Sequence, residues 1–164
     1  MAYNYVISSY TPTISALLSP TLPPSVFSGI LTVGQKSTPG LSPLPGTEAE
    51  LACIQEQFKG HTITKIKGDA ATPTAVLAGM EKYSWVHLAC HAIQNTNKPT
   101  ESAFHLHNGT LNLATITQKQ LKQADLAFLS ACETAIGDEK LPDEAVHLAV
   151  GMLMAGYWRV IATM

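Results

Sequence analysis

The sequence predicts an α/β domain whose central sheet is mostly parallel, with helices on both faces. Three observations lead there. Short apolar runs alternate with amphipathic stretches, the pattern of strand–helix–strand units joined by right-handed crossovers. Two of the runs, Trp85-Val86-His87-Leu88-Ala89-Cys90-His91 and Leu126-Ala127-Phe128-Leu129-Ser130-Ala131-Cys132, end on side chains with chemistry, and open parallel sheets present functional groups at the carboxyl ends of their strands. Finally, 46% of residues are apolar and only 13% charged, against a usual charged share of about a quarter. Much of the chain must therefore be inside a core or an interface.

A chain of 164 residues suits one domain with a sizeable core. We divide it into an N-terminal packing segment, residues 1–24, and a domain over 25–164. The packing segment is rich in Ser, Thr and Pro, with an apolar patch Ile14-Ser15-Ala16-Leu17-Leu18. Thr13 can cap a short helix there and Pro20, Pro23 and Pro24 end it. Ser25 to Gly34 reads as the first core strand. Thr47-Glu48-Ala49-Glu50 fits a capping box opening a helix through Leu51, Ile54 and Phe58 to Gly60. His61 to Ile66 alternates as a half-exposed edge strand. Thr72-Pro73 opens a second helix reaching about Tyr83. Val86 to Cys90 is the third strand.

Asn108-Gly109, between Phe104–His107 and Thr110–Leu113, is a two-residue hairpin signal. A short polar helix from Ile116 to Gln123 follows, then the fourth core strand, Leu126 to Ala131. Beyond an acidic loop, Asp143 is the expected N-cap of a helix from Glu144 to about Ala155. Gly156 ends it, and Val160 to Met164 is a fifth strand. The expected order of these five strands across the sheet is 2-1-3-4-5.

Composition narrows the function. A formal net charge of −2 makes no electrostatic case for nucleic acid or an anionic membrane. No run approaches the 18 apolar residues of a membrane span, and Met1-Ala2-Tyr3-Asn4-Tyr5 is not the basic start of a signal peptide. Three cysteines, Cys53, Cys90 and Cys132, stand at wide spacings that describe neither a disulfide framework nor a metal clip. The expected setting is reducing and cytoplasmic. With no G-x-G-x-x-G, no P-loop and no zinc spacing, no cofactor or metal is expected.

A His and a Cys at adjacent strand ends, His91 and Cys132, are a candidate thiolate–imidazole pair. The imidazole lowers the thiol pKa and takes its proton, and backbone amides near the turn hold the developing oxyanion. On pattern alone the ordinary reading, a buried thiol and a loop histidine, is the better one. Cys90 and Cys53 read as structural, His87 as a hydrogen-bonded core histidine, and His105, His107 and His147 as scattered. Asp138, Glu139, Asp143 and Glu144 read as a solvated loop and helix start, or as carboxylates lining a pocket for a basic side chain.

Ala89-Cys90-His91, Leu129-Ser130-Ala131-Cys132-Glu133-Thr134, Gly137-Asp138-Glu139, Asp143-Glu144-Ala145-Val146-His147-Leu148-Ala149, and Gly156-Tyr157 with Val160 to Met164 together resemble a CHAT domain. CHAT domains are caspase-like, related to separase, and often fused to tetratricopeptide repeats. Ser8 to Thr13 and Pro43 to Thr47 extend the resemblance over nearly the whole chain, most closely to the version in filamentous fungi. The resemblance implies a caspase-like three-layer sandwich and a cysteine endopeptidase acting on a protein substrate. His91 would be its general base, Cys132 its nucleophile, and the backbone amides of Ala92 and Cys132 its oxyanion site. Asp138, Glu139 and Asp143 are the pocket candidates. A helical-repeat regulatory region in a longer parent chain is implied as a partner.

Two departures stand out. Ala92 occupies the position where the family usually has glycine, and alanine reaches positive φ only at a cost. The family also usually continues past this point with a Trp, a helix and a strand, so the domain reads as C-terminally truncated. The alternative reading is a catalytically inactive CHAT-type fragment or protein-interaction module. A flavodoxin-like binding domain is a third, predicting a ligand at the same strand ends and no thiol reactivity.

Overall fold

The computed structural model describes residues 26–95, 98–119, 121–131 and 144–162, with residues 144–147 described by backbone alone. Five parallel strands form the central sheet: β1 (Ile30–Gly34), β2 (Ile63–Lys67), β3 (Trp85–Ala89), β7 (Leu126–Leu129) and β8 (Arg159–Ala162). Their order is β2-β1-β3-β7-β8, the expected 2-1-3-4-5 counted over these five. A second, antiparallel sheet of β4 (His91–Ile93), β5 (Ala103–Leu106) and β6 (Gly109–Asn112) grows from the end of β3. The helices are α1 (Thr47–Gln57), α2 (Pro73–Lys82), α3 (Leu113–Thr117) and α4 (Glu144–Met154).

Alternation along the strands sorts side chains to two faces. Leu31, Val33, Val86, Leu88, Ala127 and Leu129 point one way and are buried with Val76 and Met80 of α2, Ile116 of α3, and Leu148 and Met152 of α4. Packing here is tight enough to require glycine. A Cβ on Gly79 would stand 2.7 Å from Leu31 Cδ2, and one on Gly151 would stand 2.4 Å from Leu113 Cδ1. The opposite face carries Ile30, Thr32, Trp85, His87, Leu126 and Phe128, and its helix is α1, which brings Leu51 against Gly34. Among the described residues, helices thus cover both faces, three on one and one on the other.

Several local expectations shift. The first strand begins at Ile30, because Gly29 at φ 121° turns the chain. Thr47 does not cap α1: its hydroxyl donates to the Leu44 carbonyl at 2.9 Å, and Gly46 is the N-cap. Glu50, freed from a capping box, is used elsewhere. Thr72 does cap α2, accepting from Ala75 N–H at 3.2 Å. The hairpin forms, but Leu106 pairs Gly109, so the connecting residues are His107 and Asn108 and Gly109 opens β6. Asn108 (φ 61°) and Gly109 (φ 147°) take the positive φ values that favour this dipeptide. The polar helix starts three residues early, at Leu113, because Asn112 accepts from Thr115 N–H at 2.8 Å and acts as its N-cap. The expected N-cap Asp143 and the packing segment 1–24 lie outside the described residues.

The amino ends of three strands are tied by one carboxylate. Asp125, just before β7, accepts from Trp85 Nε1 at 2.9 Å and from Arg159 Nη2 at 2.6 Å. Arg159 is largely exposed, so its charge pairing contributes less than about 1 kcal/mol, whereas an indole N–H losing its acceptor costs more. Asp125→Ala should therefore destabilise the domain by about 1–2 kcal/mol and Arg159→Ala by clearly less. Urea denaturation of both variants checks the ranking.

Candidate active site

His91 follows β3 by two residues and opens β4. Its side chain is 1% exposed, and Nε2 lies 2.7 Å from the carbonyl oxygen of Ser42, in the loop after β1. A carbonyl can only accept, so Nε2 carries the proton. In the neutral ring Nδ1 then holds the lone pair. That nitrogen is buried and has no hydrogen-bond partner among the described residues. A buried imidazole with one nitrogen anchored on backbone and the other unpaired is oriented to take a proton at Nδ1.

The neighbouring strand end belongs to β7. β3 and β7 pair in parallel with Leu88 beside Leu129, and Ser130 N–H donates to the Leu88 carbonyl at 2.9 Å. His91 lies three residues beyond Leu88, and Cys132 three residues beyond Leu129. Cys132 itself lies outside the described residues, as do the pocket candidates Asp138, Glu139 and Asp143. Ala92 is buried in β4 opposite Phe104. Asn108 is the one non-glycine residue with positive φ among those described, so alanine at position 92 adopts its backbone without strain.

Across the small sheet His91 pairs with His105. Burial first, and the nearby His91 second, push the His105 pKa below the ordinary imidazole range. Cys90, between the two sheets, is fully buried, and burial pushes its thiol up to about 12. At neutral pH it is a core side chain, as expected. Cys53, expected to be structural, is instead exposed on α1.

One polar constellation escaped the sequence reading. His87 Nε2 lies 2.9 Å from Glu50 Oε1, and Ser130 Oγ donates to Glu50 Oε2 at 3.0 Å. The His87 ring stacks on Phe128 at 5.2 Å between centroids. Glu50 of α1 thus bridges two central strands, one of them two residues before Cys132. A histidine in a buried strand signals that some partner must exist; only the fold brings Glu50 to it. A second unanticipated feature is a cleft of about 350 Å³ at the carboxyl ends of β1 and β2, lined in part by Lys36, Lys67, Asp69 and His107.

Burial lowers the His87 pKa, outweighing the opposing pull of Glu50. The neutral ring is therefore favoured in the folded state. Below the ordinary imidazole value of about 6.5 the unfolded chain takes up this proton before the folded one does. His87 thus costs stability as pH falls, by up to about 1.4 kcal/mol per pH unit while only the unfolded state is protonated. Melting temperatures between pH 7.5 and 5 should fall more steeply for the parent chain than for His87→Gln.

Among the described residues no helix is long and apolar enough to cross a membrane. No curated protein matches the chain. The family model of the CHAT domain matches residues 2–164, and the five-stranded parallel sheet with helices on both faces agrees with a caspase-like sandwich. The chain therefore belongs to the CHAT domain family, a caspase-like, peptidase-related group.

Proposed function

We propose that this domain is a cysteine endopeptidase in which Cys132 is the nucleophile and His91 the general base. The observation that carries the reading is the state of His91: Nε2–H anchored on the Ser42 carbonyl, Nδ1 buried and unpaired. Family membership and the parallel register of β3 with β7 support it.

In this mechanism Nδ1 of His91 takes the thiol proton, and the Cys132 sulfur attacks the peptide carbonyl carbon. Backbone amides of Ala92 and Cys132 stabilise the resulting oxyanion. The tetrahedral intermediate collapses by breaking the C–N bond, and His91 returns its proton to the leaving amine, freeing one peptide and leaving a thioester on Cys132. Water, deprotonated by His91, hydrolyses the thioester and restores the thiol. The chemistry uses no metal or organic cofactor. Asp138, Glu139 and Asp143 offer carboxylates for a basic side chain preceding the scissile bond. The substrate is a protein, met in the reducing cytoplasm where the thiols stay free. A helical-repeat region of a longer parent chain would regulate access.

The test is site-resolved labelling with a peptidyl electrophile at pH 7, read by peptide mass spectrometry. Cys132 should react at least about tenfold faster than Cys53, while Cys90 stays unmodified. His91→Asn should slow Cys132 labelling by about 10²–10⁴-fold without changing Cys53. Labelling of Cys132 that is indifferent to His91 would leave a catalytically silent interaction module.

A further inference from the structure

Among the described residues, the face of the sheet that α1 shares is incompletely covered. Between α1 and the strands β3 and β7 runs an apolar groove of about 340 Å³, walled by Cys53, Ile54 and Phe58 and floored by Trp85, Leu126 and Phe128. Beyond it, on the same face, Ile161 of β8 is 49% exposed. Exposed apolar patches on a folded domain mark interaction sites, and three observations bear on what would fill this one.

The first is where the described chain enters. Phe27 stands edge-on to Trp85 at 5.1 Å, and Phe58 meets the same ring at 5.6 Å. Ser84 Oγ donates to the Val26 carbonyl at 3.4 Å. Val26, where the described chain begins, therefore lies at the rim of this groove. Val26 and Phe27 are themselves exposed apolar side chains, so the apolar surface continues toward the departing chain.

The second is the composition of what precedes. The first 35 residues contain no Asp, Glu, Lys, Arg or His, so burying this segment desolvates no charge. Within it, Ile14, Leu17 and Leu18 follow the i, i+3, i+4 spacing of one helix face, with Ala16 on the opposite side. The third is reach. Ser19 to Ser25, with Pro20, Pro23 and Pro24, favours an extended polyproline-like path of about 3.1 Å per residue, or roughly 20 Å. The groove crosses strands spaced about 4.8 Å apart, so the span is sufficient.

We propose that residues 13–18 dock in this groove through Ile14, Leu17 and Leu18, against Trp85, Phe128 and α1. This completes the second layer on the sheet face that α1 leaves open. The assignment does not depend on peptidase activity.

Cys53, on the groove wall, reports on it directly. In the full-length chain, Leu17→Cys should form an intramolecular disulfide with Cys53 under mild oxidation, on the order of tenfold faster than Ala16→Cys, since only a docked face has a high effective concentration. Alkylation of Cys53 should also accelerate about fivefold or more in Leu17→Asp/Leu18→Asp, because the cover is lost. Buried Cys90 staying unmodified in that variant shows that the core is intact; if Cys90 reacts, the disulfide pair of variants decides. Equal trapping from positions 16 and 17, pairing with cysteines other than Cys53, or unchanged Cys53 alkylation in a folded variant overturns the proposal. A disulfide between two chains at Leu17→Cys also overturns it, assigning the groove to a second copy.

Discussion

Leu88 and Leu129 lie side by side in the two central strands, and Ser130 N–H closes the ladder on the Leu88 carbonyl. That parallel register is the constraint on which the rest depends. Parallel strands bring their carboxyl ends to one edge of the sheet, so His91 and the chain leading to Cys132 depart from the same level of adjacent strands. The proposed pairing of His91 with Cys132 requires these two strands to be neighbours. The register is held from both ends. Asp125 gathers Trp85 and Arg159 at the amino ends, and Glu50 joins His87 to Ser130 near the carboxyl ends.

These two carboxylates work differently. Asp125 sits near solvent, pairs with a largely exposed Arg159 and acts chiefly as acceptor for the Trp85 indole. Glu50 reaches into the sheet from a half-buried position and pairs with Nε2 of His87, whose buried Nδ1 has no hydrogen-bond partner among the described residues. A buried imidazole without an acceptor for its N–H would cost far more than the hydrogen bond itself contributes. Removing Glu50 therefore takes a partner from both His87 of β3 and Ser130, the residue after β7. This makes the α1 contact a connection between strands and not only a lid over them.

The two layers flanking the sheet are unequal. On one side α2, α3 and α4 interdigitate with Leu31, Leu88 and Leu129 so closely that Gly79 and Gly151 leave no room for a methyl group. On the other, among the described residues, α1 alone covers β1 and β3 and leaves an apolar surface open over β7 and β8.

Sequence by itself determined the class of fold, because strand and helix periods alternate in order and because the apolar runs of β1, β3 and β7 need burial on both faces. The expected sheet order, 2-1-3-4-5, is the one observed, though local pattern does not dictate it, and the capping of α2 by Thr72 was legible because it is a local interaction. Residue pattern alone made His91 and Cys132 a weak pair; the recurrence of several family motifs in order raised them above chance. Tertiary structure decided what local pattern could not. Thr47 and Glu50 satisfied the rule for a capping box, yet the loop from 35 to 46 claims the threonine hydroxyl and the sheet claims the glutamate. The turn at Asn108 moved by one residue because register across β5 and β6 is set by which side chains face the core. The proton position on His91 depends on a carbonyl 49 residues away, which no local pattern encodes: hydrogen-bond partners distant in sequence are chosen only when the chain has packed.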